Sequence, residues 1–123
     1  GRGVHGIATE ADFDKAFDAP GVLERAVDFE KELAVIVARS EGGEVRCFPT
    51  VEMVFHPEAN LVEDLFAPAE ISPETDVQAQ DVARRTAEAF GIVGLLAVEL
   101  FLTKDGQILI NEVAPRPHNS GHH

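Results

Sequence analysis

Gly94-Leu95-Leu96-Ala97-Val98-Glu99-Leu100-Phe101-Leu102-Thr103-Lys104-Asp105-Gly106-Gln107-Ile108-Leu109-Ile110-Asn111-Glu112-Val113 holds two apolar runs and the turn between them. Val93 to Leu102 is apolar apart from Glu99, Lys104 to Gln107 has turn composition, and Ile108 to Val113 returns the apolar pattern. Such a pattern predicts a β-hairpin. Glu99 and Glu112 lie six residues on either side of Asp105-Gly106, so the hairpin sets them opposite each other. Opposed carboxylates repel, and burying them uncompensated costs several kcal/mol. Neither strand contains Lys or Arg. A hard divalent cation such as Mg²⁺, held by carboxylate and amide oxygens, suits Glu99, Asn111 and Glu112. The other reading leaves one or both acids pointing to solvent from a one-sided sheet.

Working outward, Ser72-Pro73-Glu74 combines an N-cap serine, a proline at the first helical position and an acid in the first turn. It predicts a long helix ending at Gly91, with Val77, Val82, Ala83, Ala87 and Phe90 as its apolar face. Before it, Glu32 to Arg39 reads as a buried strand, Glu41 to Glu44 as a turn and Val45 to Phe48 as an antiparallel return. Thr50 to Phe55 continues the sheet, His56 to Asn60 breaks it, and Leu61 to Phe66 adds a short extended piece. Nearer the start, Val22 to Val27 reads as a strand and Asp28 to Lys31 as a polar turn. Thr9 caps a short amphipathic helix with Phe13 and Phe17 on one face, stopped by Pro20-Gly21. Ala114 to His123 is polar, punctuated by proline and irregular. The fold class is α+β, a mostly antiparallel sheet with flanking helices.

The 123 residues allow one domain. With 22 acidic and 10 basic side chains the formal charge is −12, which disfavours polyanions: no nucleic acid and no membrane surface are expected as partners. Apolar residues make up 45% of the chain, enough for a packed core. No apolar run approaches the roughly 20 residues that span a bilayer. The opening Gly1 to Gly6 has neither an initiator Met nor a signal core, so the chain is expected to be cut from a longer one. The single cysteine, Cys47, sits in an apolar run and reads as a buried thiol, and a cytoplasmic location follows as the default.

Other residues invite functional readings. Gly1-Arg2-Gly3 offers backbone N–H groups to a phosphate, or is an ordinary turn. Glu24 and Glu32, eight residues apart at strand ends, can accept from an amine or from ribose hydroxyls, or remain solvated. His118, His122 and His123 have no helix to bring them together, which argues against a transition-metal site. Arg116, beside Asn119 and Ser120 in a proline-stiffened loop, suits an anion.

Val98-Glu99-Leu100-Phe101 followed by Leu109-Ile110-Asn111-Glu112-Val113-Ala114-Pro115-Arg116-Pro117-His118-Asn119-Ser120-Gly121-His122 closely resembles the metal-binding and substrate-binding end of the ATP-grasp domain in the 5-(carboxyamino)imidazole ribonucleotide synthase family of purine biosynthesis. Many ATP-grasp enzymes have an acid followed by Asn-Glu, but Ala-Pro-Arg-x-His-Asn-Ser-Gly-His is narrower. The resemblance runs over essentially the whole chain: Gly1-Arg2-Gly3 looks like the end of the family's Tyr-Asp-Gly-Arg-Gly loop, and Glu24 to Glu32 matches its adenine-hinge spacing.

The resemblance implies the C-terminal lobe of an ATP-grasp domain, residues 1–123, with the family's N-terminal and C-terminal domains absent. It implies ATP and Mg²⁺, with Mn²⁺ as an alternative, bicarbonate and aminoimidazole ribonucleotide as substrates, and a homodimer for the full enzyme. Gly1, Arg2 and Gly3 would lie over the ATP phosphates. Glu24, Arg25, Ala26 and Val27 would line the adenine, and Glu32 would hold the ribose. Glu99 and Glu112 would bind the metal, with Asn111 at the triphosphate. Arg116, the catalytic candidate, would face bicarbonate and the ribonucleotide together with His118, Asn119 and Ser120. The family's ATP-contacting His corresponds to His56, or Phe55 takes its place, since Pro49 to His56 runs one residue longer than the common pattern. The expected reaction is ATP-dependent carboxylation through carboxyphosphate, with little or no activity from this piece alone. Alternatives are another ATP-grasp ligase or carboxylase, and a non-enzymatic acidic metal-binding module.

Overall fold

A computed structural model describes residues 4–16, 18–55 and 62–121. Its strands are β1 (Phe29–Arg39), β2 (Val45–Cys47), β3 (Val51–Phe55), β4 (Val62–Phe66), β5 (Gly94–Thr103) and β6 (Ile108–Ala114), with one α-helix, α1 (Pro73–Phe90), between β4 and β5. All pairings are antiparallel, in the order β4-β3-β1-β5-β6, with β2 beside the far half of β1. β1 and β5 form the centre, paired from Phe29↔Thr103 to Arg39↔Gly94.

Alternation gives the sheet two faces. Leu33, Val35 and Val37 of β1 and Leu96, Val98, Leu100 and Leu102 of β5 meet α1 in the core. The helix begins as expected, with Ser72 Oγ accepting from Thr75 N–H at 3.1 Å and a proline in the first turn, and ends at Gly91 with φ 61°. Its buried stripe keeps Ala83 and Ala87 of the expected face, with Val82 packed against the core, and departs from it elsewhere. Ala79, Ala83 and Ala87 face the sheet, whereas Val77 and Phe90 are 69% and 65% exposed. Alanines at four-residue spacing let the helix axis approach the β-branched sheet closely, and bulkier side chains there would hold it off.

Two further expectations fail near the start of the chain. Val22 to Val27 forms no strand, because β1 already pairs with β5 on one side and with β2 and β3 on the other. The expected turn at Asp28–Lys31 is instead the beginning of β1. Phe29 stacks on Phe101 with ring centroids 4.5 Å apart, and Lys31 pairs with Glu52 at 2.8 Å, so side chains that looked like turn residues are satisfied across strands. The short helix is a 3-10 turn, Glu10–Lys15, that buries none of its residues; Phe13 is exposed, and Phe17 lies outside the described residues. Among the described residues, no helix is long and apolar enough to cross a membrane.

Candidate functional site

The sheet face opposite α1 carries the acids. Glu99 on β5 is paired with Ala34 on β1 and with Glu112 on β6, so the expected opposition of the two glutamates is present. A β-bulge produces it. Near the turn the register is Leu102↔Ile108, Phe101↔Leu109 and Leu100↔Ile110, which continued unchanged would set Asn111 against Glu99. One extra residue on β6 places Asn111 and Glu112 together opposite the single Glu99. Bulges re-aim side chains in this way, here gathering two carboxylates and an amide at one rung of the sheet.

Glu32 lies two residues before Ala34 on β1 and therefore on the same face as Glu99. Burial pushes its carboxyl above the usual range. Glu99 is affected more. Burial raises its pKa to about 7, Glu112 and then Glu32 push in the same direction, and Arg116 partly opposes them. The Glu99 side chain is 13% exposed. Three acids thus share a face with one cation close enough to be felt.

The tail after β6 folds back beneath this face. The 3-10 turn Asn119–Gly121 crosses β1, where a Cβ at Gly121 would collide with the Ile36 side chain. His118 is thereby directed inward, with Nε2 2.9 Å from Glu99 Oε1 and Nδ1 2.9 Å from Ser120 Oγ. Arg116 stays exposed and donates from Nη1 to the Pro117 carbonyl at 3.0 Å; Asn119 is also exposed, its Oδ1 accepting from Ser120 N–H at 3.0 Å.

Of the residues singled out in the sequence, the fold brings Glu32, Glu99, Asn111, Glu112 and Arg116 to one side of the sheet. Ser120, expected at the substrate, is fully buried in this structure, and His118 is nearly so. Glu24, Arg25 and Ala26 are exposed and Val27 half-buried in a stretch without regular structure, apart from this group. Gly1, Arg2, Gly3 and His56 lie outside the described residues. The contact that sequence reasoning missed is His118 to Glu99. Its signal was available: a buried glutamate needs a donor, neither strand has a basic side chain, and the first donors past β6 are Arg116 and His118.

Among the described residues no three His, Cys, Asp or Glu side chains form a ready-made metal cage. Glu99 and Glu112 supply two hard carboxylate groups at one rung, fewer than a dedicated Ca²⁺ or Zn²⁺ site employs. That donor set fits Mg²⁺, which typically takes one or two protein carboxylates and completes its shell with phosphate oxygens and water.

The whole chain, residues 1–123, matches the ATP-grasp domain family. It is 42% identical over its full length to N5-carboxyaminoimidazole ribonucleotide synthase of Bacillus subtilis and 43% identical to the chloroplastic phosphoribosylaminoimidazole carboxylase of Vigna aconitifolia. It covers 33% and 23% of those proteins, so the chain spans a third or less of their length. Among solved structures, 93% of the chain superposes on N5-carboxyaminoimidazole ribonucleotide synthetase from Thermotoga maritima with a TM-score of 0.82 and 46% identity, covering 29% of that chain. A structure described as the ADP complex of such a synthetase superposes over 94% of this chain and 31% of its own, with a TM-score of 0.87 and 45% identity.

Proposed function

The chain belongs to the ATP-grasp family, and from that footing we propose that it forms the metal and phosphate end of an ATP-dependent ligase that carboxylates 5-aminoimidazole ribonucleotide. The observation that carries this reading is the bulged rung, where Asn111 and Glu112 oppose Glu99 with no cation on either strand. The names of the full-length relatives support the choice of substrate. In this reaction ATP transfers its terminal phosphoryl group to bicarbonate, giving ADP and carboxyphosphate. The exocyclic amine of the ribonucleotide then attacks the activated carboxyl carbon, forming the C–N bond and releasing phosphate.

Mg²⁺ supplies charge neutralisation on the phosphate oxygens when bound. Glu99 and Glu112 would hold it through carboxylate oxygens, and Asn111 would offer an amide to the triphosphate. Glu32 accepts from ribose hydroxyls, and Glu24 to Val27 line the adenine. Gly1, Arg2 and Gly3 are assigned to the phosphates, and His56 or Phe55 to the nucleotide. Arg116, exposed beside the acids, holds the bicarbonate anion and its phosphorylated form, with Asn119 near the ribonucleotide. Positioning and charge screening account for the chemistry, and no protein nucleophile is required. The working protein is a cytoplasmic homodimer, and this piece has little activity alone.

Isothermal titration of the full-length protein tests the reading. Mg²⁺ binding should depend on ATP, and Glu112→Gln should abolish that dependence together with ADP release driven by bicarbonate and aminoimidazole ribonucleotide. Equal Mg²⁺ affinity with and without nucleotide would overturn it in favour of an acidic metal-binding module.

A further inference from the structure

Phe29 and Phe101 stack with ring centroids 4.5 Å apart and planes 13° from parallel. A second register shift makes the stack possible. β1 pairs with β5 as Glu32↔Phe101 and Lys31↔Leu102, which continued unchanged would set Glu30 against Thr103. The partner of Thr103 is instead Phe29, so β1 carries one extra residue at this point. Simple alternation would send Phe29 to the α1 side with Lys31 and Leu33, whereas the shift delivers its ring to the side of Glu32 and Glu99. Both neighbours of β5 thus hold an extra residue, and both shifts re-aim side chains onto the same face.

From this geometry we infer that Phe29 is a positioning residue for the base of the nucleotide, acting through the ring of Phe101. The inference rests on the reading of Glu99 and Glu112 as the metal-holding pair and of Glu32 as the ribose acid. Along β5 this face shows Glu99, Phe101 and Thr103 in turn, and Ala34, Glu32 and Phe29 stand opposite them. Glu99 and Phe101 are about 7 Å apart along the strand. A nucleotide with its phosphates at Glu99 and its ribose at Glu32 therefore carries its base toward the aromatic pair, where the stretch Glu24 to Val27 joins the sheet. The Phe101 ring needs support there. Phe29 is 37% exposed and Phe101 is half-buried, so both rings lie on the side of the sheet that α1 does not cover. A lone ring on an open face changes rotamer freely, and a base arriving there has to order it. Stacking fixes the ring before the nucleotide binds, and that order is then no longer a cost of binding.

The test compares two probes on the full-length protein by calorimetry: ADP with Mg²⁺, and pyrophosphate with Mg²⁺, which lacks the nucleoside. Phe29→Leu keeps an apolar side chain and removes the stack. It should weaken ADP binding about two- to tenfold, leave pyrophosphate binding unchanged, and raise KM for ATP by the same factor at little cost in kcat. Phe29→Tyr keeps the ring and should retain wild-type ADP affinity. ¹³C spectra of phenylalanine-labelled wild type should show the Phe101 ring resonances moving as ADP saturates the protein. Equal weakening toward both probes in Phe29→Leu would mark a general structural role and overturn the inference, leaving the proposed function standing. Undiminished ADP affinity in Phe29→Leu, or a Phe29→Tyr as weak as Phe29→Leu, would do the same. Wild-type protein with no affinity for ADP and Mg²⁺ would overturn both. Phe101 resonances unmoved by ADP would overturn the inference without reference to how any variant folds.

Discussion

The β5–β6 hairpin and the stretch 20–28 both carry acids assigned to a nucleotide complex, and the fold treats them differently. Glu99, Asn111 and Glu112 are fixed by strand register, on a sheet whose other face is the core. Glu24 sits in an irregular segment where Val22 is exposed and Leu23 is 92% exposed. A carboxylate on a central strand inherits its position from hundreds of small packing contacts it does not itself make. A carboxylate on an unpaired segment inherits nothing of that kind, and its geometry depends on whatever covers Val22 and Leu23. The metal end of the proposed site is thus prebuilt, whereas no strand fixes Glu24.

One residue type in both regions gives the largest expected difference. Leu100 on β5 is 1% exposed in the core cluster, so Leu100→Ala should cost about 2–5 kcal/mol in urea unfolding. Leu23→Ala should change the same midpoint by less than about 0.5 kcal/mol. Comparable losses would erase the distinction between the two regions.

The hairpin should also show a pH signature. Glu99 has its pKa raised from 4.5 to about 7 by burial and then by Glu112 and Glu32. The folded state therefore binds this proton more tightly than the unfolded chain. The stability it contributes is fully present below pH 4.5 and is lost as pH rises through about 7. One pKa unit corresponds to about 1.4 kcal/mol, so the loss across the window is on the order of 3 kcal/mol without metal. Urea midpoints measured across that window should fall for the wild type and fall less for Glu99→Gln, which keeps only the smaller contribution of Glu32. Saturating Mg²⁺ with nucleotide should flatten the wild-type slope, because a bound cation favours the carboxylate.

Much of this hairpin was legible in the sequence. The apolar runs, the Asp105-Gly106 turn and the opposed glutamates all followed from alternation and counting. The bulge did not. The turn encloses Lys104, Asp105 and Gly106 between Thr103 and Gln107, and the extra residue at Asn111 restores the pairing that a simple symmetric count suggested. Counting reached the right pair because two one-residue offsets cancelled. The helix ends were legible because caps are local chemistry. Its buried face was legible in part: Ala83 and Ala87 were expected and are buried, Ala79 was passed over, and Val77 and Phe90 were included because large apolar side chains were taken as markers of burial. Val22 to Val27 has strand-forming composition, yet composition carries no information on whether a sheet edge is available. The inward turn of His118 depends on a tertiary contact across β1, which local sequence does not encode.

Capping residues extend the comparison to a smaller scale. Ser72 starts a helix that covers the core face of β5, and Ser72→Ala should cost about 1 kcal/mol through the lost bond to Thr75 N–H. Asp12 performs a similar service for the 3-10 turn, accepting from Ala8 and Thr9 N–H at 3.1 and 3.0 Å. That turn buries nothing, so Asp12→Ala should raise hydrogen exchange at Ala8 and Thr9 and leave the unfolding midpoint in place. A shift of the global midpoint by Asp12→Ala would mean that the early segment unfolds with the core.

The two regions touch where Lys104, in the tip of the hairpin, meets Asp28, at the end of the irregular stretch, with Nζ 2.8 Å and 3.0 Å from the two carboxylate oxygens. Both side chains are exposed, so solvent and salt screen the attraction and ordering a lysine offsets much of what remains. Lys104→Ala should therefore change stability by no more than about 0.5 kcal/mol, with the difference fading as ionic strength rises. A larger, salt-insensitive loss would show that the bond is desolvated in the full-length protein. The tip of the hairpin would then be a fixed support for the nucleoside end, and the two regions would have to be treated as one unit.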